Sequence, residues 1–273
     1  MMQSFNRWNY YLYRNAWRFG GLPHEEQKLN KESYTNLLRS GGLFVRNTYD
    51  FDCKKETGFW YLIKDSFTPL EELPSKKRLK RKIKKSLSFF DFQLVDKKVL
   101  YDNGFVNHYD NSLTLHQEKD KQDFMNDFFY YLEQENCEYW AIFSKETHDF
   151  AGFAINYVSD NACDYKITCI LPKYHANSFY TYYGLFYAMN EHYLGKKHFR
   201  YVTDGSRTIT EHSGIQDYLI QNFNFRKAYC RLEIHYQWWM KIAVNLLYPF
   251  RNIITLPRVK AVLNMEAMQR GTK

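Results

Sequence analysis

Apolar residues in the second half of the chain alternate between the strand period and the helix period. The run Tyr165–Leu171 is rich in apolar residues and stops at Pro172, which predicts a strand. From Ser178 to Leu194 apolar residues recur at three- and four-residue steps, which predicts an amphipathic helix with Ser178 as N-cap and Gly195 as C-terminal cap. The series continues with a strand over His198–Thr203, a helix over Gly214–Phe223 and a strand over Arg226–Tyr236.

This succession of strand, helix, strand, helix and strand implies parallel crossovers in an α/β sheet. Ligands bind such sheets where the carboxyl ends of the strands open. Two loops qualify, from Leu171 to Asn177 and from Thr203 to Ser213.

The first half predicts mostly antiparallel strands and short helices. Residues 1–30 have no clean period and are interpreted as a short helix and a loop. A turn with the sequence KKETG is expected to join the strands Leu43–Phe51 and Phe59–Ile63 into a hairpin. The remaining predictions are helices over Lys31–Ser40, Leu100–Leu115 and Asp120–Gln134, a strand over Phe92–Val95, and a hairpin of Tyr139–Phe143 with Phe150–Tyr157. We expect an extension over 1–40, a catalytic-type domain over 41–236 and a C-terminal helix and tail over 237–273.

Charge adds an anionic partner to this picture. The formal net charge is +8 and the pI about 9.0, which favours nucleic acid, phosphate-bearing ligands or an acidic membrane face, although a basic surface without a partner fits too. Eight of the ten residues from Lys76 to Lys85 are basic, with a thin apolar seam of Leu79 and Ile83. Such a helix repels itself unless an anion relieves it. The residues expected to bind a polyanion are Lys76, Lys77, Arg78, Lys80, Arg81 and Lys84.

The cysteines indicate a reducing compartment. Five cysteines form no CxxC pair, and the N-terminus lacks the apolar core of a signal peptide. We therefore expect a cytoplasmic protein, with peripheral attachment to the inner membrane face as an option. No metal is expected, because His108, Asp110, His116 and Glu118 fit no standard zinc spacing.

The order of elements resembles the GNAT superfamily of N-acyltransferases. The basic helix, following a strand that ends FWYLIKD, is similar to a helix of Fem-type aminoacyl transferases and of single-copy relatives encoded with envelope-glycan genes. The resemblance covers roughly residues 40 to 236. It implies a mixed α/β sheet of GNAT-like fold, an activated donor that is either acyl-CoA or aminoacyl-tRNA, and an amine or hydroxyl acceptor, for which an envelope or capsule glycan is one candidate.

The donor loop departs from the superfamily pattern. Acyl-CoA enzymes carry Q/R-x-x-G-x-G/A after the central strand, where bare amides at a helix N-terminus hold the pyrophosphate. Here no glycine lies in that turn, and Gly184 comes too late. Charge would then replace the amides. The residues expected to bind the donor are Leu171, Lys173, His175, Asn177 and Ser178.

A second departure follows the next helix, where the superfamily pattern Y-x-x-x-G-F is changed. Asn224 stands in the glycine position, and asparagine is the best substitute for glycine in a left-handed conformation. Ile220 stands where the tyrosine would protonate the leaving group. Tyr218 lies about 200° around the helix from that position and is interpreted as a packing residue.

Asp204, Ser206 and Arg207 are the candidate catalytic residues. An aspartate at a strand's open end can orient or deprotonate an acceptor, a serine can donate a hydrogen bond, and an arginine can bind phosphate or carboxylate. The alternative is a plain turn, because Asp-Gly is a common turn pair. Glu211 and His212 are second-choice bases.

The sequence thus predicts an acyltransferase, with a non-catalytic basic protein of the same fold as the alternative. In the tail, Trp239, Ile242, Ala243, Leu246 and Leu247 share one helical face. With Lys241 nearby, Trp238 and Trp239 are either anchors at a membrane interface or packing residues.

Overall fold

The computed structural model describes residues 9–73, 78–114, 118–176, 178–209 and 214–271. Over these residues the strands are β1 (Tyr10–Tyr13), β2 (Ala16–Phe19), β3 (Phe44–Tyr49), β4 (Phe59–Lys64), β5 (Phe90–Val95), β6 (Cys137–Ser144), β7 (Phe150–Ser159), β8 (Ala162–Ile170), β9 (Tyr201–Ser206) and β10 (Arg226–Tyr236). The helices are α1 (Lys31–Arg39), α2 (Arg78–Phe89), α3 (Lys97–Asp102), α4 (Phe105–Ser112), α5 (Glu118–Leu132), α6 (Thr181–Asn190), α7 (Gly214–Phe223), α8 (Trp238–Leu247) and α9 (Pro257–Arg270). The predicted mixed α/β class is confirmed.

The chain divides into two compact units. The central unit comprises Lys64–Asp204, and the terminal unit comprises Met1–Ile63 together with Gly205–Lys273. Each is described by itself. None of the helices in the described ranges is both long and apolar enough to cross a bilayer.

Strands of the terminal unit follow the order β1, β2, β3, β10, β4. Over residues 9–30 a short helix and a loop were expected, but β1 and β2 form an antiparallel hairpin; residues 1–8 lie outside the described residues. The predicted hairpin of β3 with β4 is also wrong. β10 lies between them and pairs antiparallel with both, which likewise replaces the expected parallel crossover into β10. β2 runs parallel to β3.

β10 takes its central place because of a two-residue alternation. Ala228, Cys230, Leu232 and Ile234 are buried while the intervening side chains are more accessible, the pattern of a strand with one face in the core. The helix α1 covers a neighbouring apolar cluster. Its Tyr34 and Leu37 pack with residues of β1, β2 and β3. α9, which the sequence analysis did not predict, buries Leu263 and Met265.

The central unit has the strand order β5, β6, β7, β8, β9. The strands β5 to β8 form an antiparallel meander, which confirms the predicted hairpin of β6 with β7, and β9 runs parallel to β8. Phe105, Phe128 and Phe153 are fully buried in the core between α3, α4, α5 and this sheet. Gly104, with φ 65°, separates α3 from α4 where one continuous helix was expected.

Two predicted boundaries near the crossover helix need correction. α6 begins at Thr181, after Tyr180 in a left-handed conformation, so Ser178 is not its N-cap. The helix continues as a π-helical turn, Glu191–Lys196, that includes Gly195 instead of ending at it. The next strand begins at Tyr201, three residues later than predicted, and keeps Asp204 and Gly205 inside the strand.

Candidate functional site

The parallel strands β8 and β9 separate partway along their length. Their register pairs run from Ala162 with Tyr201 to Asp164 with Thr203, while β8 continues to Ile170. Past that point no further pair joins them among the described residues. We call this divergence the fork. It opens within the strands, earlier than the expected opening at the strand ends, and Asp204 is the first residue of β9 beyond it.

Asp204 lies in an environment that favours its protonated form. Burial raises the pKa of its carboxyl well above the ordinary value, and the nearby Asp164 raises it further. Within the described ranges no hydrogen bond or ion pair reaches the Asp204 carboxylate. A carboxyl whose pKa is raised in this way holds its proton more strongly, which suits a general base that works near neutral pH.

Asp164, by contrast, has a cationic partner. Lys166 Nζ forms a short ion pair with Asp164 Oδ2, and both side chains are largely buried. The same ammonium lies 5.1 Å from the centroid of the Tyr131 ring. Tyr165 lies between these two residues in sequence and donates a hydrogen bond of 2.9 Å to Asn190 Oδ1. The ion pair of Asp164 with Lys166 and the hydrogen-bonded Tyr165 therefore lie at the start of the fork.

Backbone groups of Ser206 and Arg207 form hydrogen bonds within the terminal unit, and a role for the Ser206 hydroxyl stays a prediction. The Ser206 carbonyl accepts a 3.1 Å hydrogen bond from Gln216 Nε2. The Arg207 amide donates to the Trp60 carbonyl at 2.8 Å, and its Nη1 donates to the Gly58 carbonyl at 2.8 Å. One guanidinium nitrogen of Arg207 is thus engaged in a structural contact. Binding of phosphate or carboxylate by Arg207 stays a prediction. Glu211 and His212 lie outside the described residues.

Several polar groups of the predicted donor loop already have hydrogen-bond partners. The amides of Leu171, Tyr174 and His175 donate to the carbonyls of Ala151, Leu171 and Pro172, respectively. Because these amides are used, they do not form a bare cradle for a pyrophosphate.

Its charged groups are also engaged. Lys173 Nζ lies 3.0 Å from Asp149 Oδ2, and this hydrogen bond lowers the pKa of the Asp149 carboxyl. The Nε2–H of His175 donates to the Ile170 carbonyl at 2.7 Å. Ser178 precedes the first turn of α6 by three residues, and Asn177 lies outside the described residues. The loop therefore offers an exposed but paired lysine.

Two lysines of α2 stand beside the first turn of α6. Lys82 Nζ donates a 2.7 Å hydrogen bond to the Tyr183 hydroxyl and lies 4.4 Å from the centroid of that ring. Lys82 and Lys85 lie 5.6 and 5.9 Å from the ring of Tyr180. The sequence analysis missed both, although Lys82 follows Leu79 by three residues and so flanks the apolar seam. These two cations face the helix that follows the donor loop.

The other basic residues of α2 point elsewhere. Arg78, Arg81 and Lys84 are exposed. Lys80 Nζ donates to the carbonyls of Glu71 and Leu73, at 3.0 and 3.2 Å. Lys76 and Lys77 lie outside the described residues. The predicted polyanion face thus remains accessible at three positions.

A cavity of about 120 Å³ adjoins the donor loop. Phe89, Phe90 and Phe179 supply its apolar wall, and Lys173 lies at its margin. The three rings are in mutual contact, with centroids 5.3 to 6.3 Å apart. The cavity can accommodate a small apolar group next to a cation.

The remaining sequence candidates have structural roles. Burial raises the pKa of the Cys169 thiol to about 11 and that of Cys137 to about 12, so neither is an activated nucleophile. Asn224 has φ 56°, which confirms its predicted left-handed conformation. No cluster of three or more metal-ligating side chains is found in the part of the chain that the structure describes.

Neither a protein-family model nor a curated protein sequence matches the chain. Among solved structures, the chain is similar to FemX at 10% identity and a TM-score of 0.48, covering 83% of this chain and 81% of that one. It is similar to the C-terminal domain of a putative lysylphosphatidylglycerol synthetase from Agrobacterium fabrum at 11% identity and a TM-score of 0.48, covering 79% and 74%. A tandem GNAT protein from the clavulanic acid biosynthesis pathway is similar at 10% identity and a TM-score of 0.40, covering 74% and 66%. These are similarities of fold alone.

Proposed function

We propose that the protein is an acyltransferase that moves an acyl or aminoacyl group from an activated donor to an amine or hydroxyl. The observation that supports this most is the fork between β8 and β9, with Asp204 immediately beyond the last register pair. An open edge of a central strand beside a carboxyl of raised pKa suits a reaction in which an acceptor loses a proton as it attacks.

In the proposed reaction the acceptor nitrogen or oxygen forms a bond to the donor carbonyl carbon. Asp204 takes the proton that the acceptor loses. The bond from that carbon to the donor's sulfur or ester oxygen then breaks, and the leaving group departs as a thiol or hydroxyl by taking up the proton that Asp204 received, which returns Asp204 to its carboxylate form. Backbone amides on the open edge of β8 beyond Asp164 would stabilise the oxyanion. No tyrosine is assigned as the acid, since Ile220 stands in that position.

Lys82, Lys85 and Lys173 are the proposed anchors for the donor's phosphates. The donor is either acyl-CoA or aminoacyl-tRNA, both of which carry phosphate. Lysine is a compact charge that binds phosphate without a fixed direction, which suits a loop whose amides are already used. An envelope or capsule glycan as acceptor rests on the resemblance of the sequence alone.

Calorimetry with CoA, acyl-CoA and aminoacyl-tRNA, followed by turnover on amino-sugar acceptors, tests the proposal. Asp204→Asn keeps the shape and removes the base, so donor affinity should change little while turnover falls about 100-fold or more. The double variant Lys82→Gln/Lys85→Gln should weaken the donor about tenfold or more and leave the chemical step intact. Lys31→Gln/Lys98→Gln, which removes two exposed lysines outside α2, is the charge-matched control.

The alternative is a non-catalytic basic protein of the same fold that binds a polyanion. The exposed side chains of Arg78, Arg81 and Lys84 favour it. If CoA and acyl-CoA do not bind at millimolar concentration, and the protein binds charged and uncharged tRNA equally with a steep salt dependence but transfers nothing to any acceptor, the alternative holds. If a donor binds and Asp204→Asn turns over normally, the acyltransferase proposal stands and another residue is the base.

A further inference from the structure

One face of α8 and the segment that follows it expose large apolar side chains. Trp238 is 75% exposed, Leu246 68% and Ile253 77%. The exposed members of this apolar patch are Trp238, Trp239, Ile242, Leu246, Leu247, Phe250, Ile253 and Leu256. Only Leu94, Tyr101 and Phe129 are large exposed apolar residues elsewhere in the described chain. Exposed apolar surface concentrated in one segment marks an interaction site.

The opposite face of α8 is fixed to the terminal unit. Met240, Val244 and Tyr248 are buried, at successive four-residue steps. The guanidinium carbon of Arg270 lies 4.1 Å from the centroid of the Tyr248 ring, and its Nη2 donates to Asn245 Oδ1 at 2.8 Å. Since the helix turns by about 100° per residue, Trp238, Trp239, Ile242 and Leu246 fall in an arc of about 100° on the other side. The outward arc is therefore held in place by packing on its inner face.

A second stage of anchoring comes from α9. Glu266 accepts a 2.9 Å hydrogen bond from the Tyr236 hydroxyl at the end of β10 and an ion pair from Arg270 Nε at 2.7 Å. Glu266 is 5% exposed. The helix α8, which bears part of the apolar patch, thus contacts α9, and α9 is hydrogen-bonded to β10 of the sheet.

The charged residues along this segment of the chain are all basic. Between Glu233 and Glu266 the sequence contains no Asp or Glu, and its cations are Lys241, Arg251, Arg258 and Lys260. Lys241, Arg258 and Lys260 are exposed. Apolar and aromatic side chains with cations interspersed among them in the sequence match the boundary between the acyl chains and the headgroups of an anionic bilayer.

A second copy of the chain fits the patch less well. A symmetric contact would place the same four cations opposite each other, and like charges would oppose association. An anionic surface neutralises them instead. We propose that α8 and the segment to Leu256 seat the protein on an anionic lipid surface, with the helix lying in the plane of the interface. This goes beyond the transferase activity and does not depend on it.

Co-flotation of the full chain with phosphatidylcholine vesicles, with and without phosphatidylglycerol, tests the proposal. Binding should require phosphatidylglycerol and fall as salt is added. Trp238→Ser/Leu246→Ser should lower the partition coefficient about tenfold or more, since it removes two apolar side chains from the interface. The matched control Leu94→Ser/Phe129→Ser removes two exposed apolar side chains outside the patch and should bind normally.

The electrostatic part has its own arm. Lys241→Gln/Lys260→Gln should lower binding by about fivefold per cation, whereas Lys31→Gln/Lys98→Gln should not. Quenching by brominated lipid reports the geometry, because Trp17, Trp60 and Trp140 are buried while Trp238 and Trp239 are exposed. In a Trp8→Phe background, quenching should therefore come from those two residues.

Two outcomes overturn the proposal. One is flotation that is unchanged by Trp238→Ser/Leu246→Ser, or absent for the native chain. The other is a dimer in sedimentation that the same variant disperses while neither protein floats, which would make the apolar patch a contact between copies. Circular dichroism of each variant shows whether it has kept its fold, and Lys241→Gln/Lys260→Gln, on exposed side chains, keeps the test decisive if the apolar variant unfolds.

Discussion

Gly184 lies where α6 packs against α2 and β5, and adding one methyl group there should destabilise the protein. A Cβ on Gly184 would lie well inside van der Waals contact with Ser86 Oγ and with the ring of Phe92. Ser86 is fully buried, so its oxygen has little room to move. Overpacking of this kind costs about 1–3 kcal/mol, while replacing a mid-helix glycine by alanine returns about 1 kcal/mol. Because the added Cβ would clash with two side chains at once, the steric cost should lie in the upper part of that range, at about 2–3 kcal/mol. The net loss of stability should then be about 1–2 kcal/mol.

Urea denaturation followed by circular dichroism measures this loss for Gly184→Ala. Gly214→Ala is the control, because Gly214 is the first residue of α7 and, its chain neighbours aside, no atom of the described residues lies within 4 Å of its added Cβ. That control should be neutral or slightly stabilising. Phe92→Leu should partly rescue Gly184→Ala, which a double-mutant cycle detects. If Gly184→Ala is as stable as Gly214→Ala, the close packing of α6 on α2 is refuted.

Two further predictions concern buried carboxyls. Because burial raises the pKa of Asp204, the folded state keeps a proton that the unfolded chain releases, so this contribution is complete at low pH and declines as pH rises from about 4. Asp204→Asn should therefore gain stability relative to the native chain as pH rises, and urea midpoints that differ equally at every pH would contradict this. Glu26 Oε1 accepts hydrogen bonds from the Tyr10 hydroxyl, the side-chain amide of Asn47 and the backbone N–H of Thr48, at 2.8 to 3.0 Å. Glu26→Ala should cost about 3 kcal/mol or more and Glu26→Gln, which keeps that oxygen, under about 1 kcal/mol by the same denaturation; equal losses would show that the acceptor oxygen is not what matters.

Local sequence patterns predicted the bounds of some elements to the residue and misplaced the bounds of others. α7 and β10 have the predicted bounds, because a left-handed Asn224 separates them and β10 alternates cleanly. The pairing of β10 with both β3 and β4 could not be seen, since it joins segments far apart in the sequence. Asp204 and Gly205 were expected to break the strand because the pair is common in turns. Instead Gly205 takes φ 79° within β9, and the strand continues to Ser206.

Only part of the candidate site could be proposed from local sequence. Asp204 was singled out because it follows the predicted strand His198–Thr203, but its burial and its proximity to Asp164 arise from the fold. The contacts of Lys82 depend on which face of α2 meets α6, and Gly184 permits that approach. A run of basic residues in a sequence does not say which of them faces inward.

These contacts connect two features that the sequence treats as separate, the basic helix and the donor loop. A phosphate can be held at a helix N-terminus by bare amides, which requires a loop whose backbone is free. Here the amides of Leu171, Tyr174 and His175 already have carbonyl partners, and Lys173 is paired with Asp149. An anion that approaches the first turn of α6 would therefore lie beside Lys82 and Lys85 of α2. If the protein binds a phosphate-bearing donor, side-chain charge from a neighbouring helix has to replace the glycine cradle, and the affinity should depend on salt more steeply than in a loop that binds through amides.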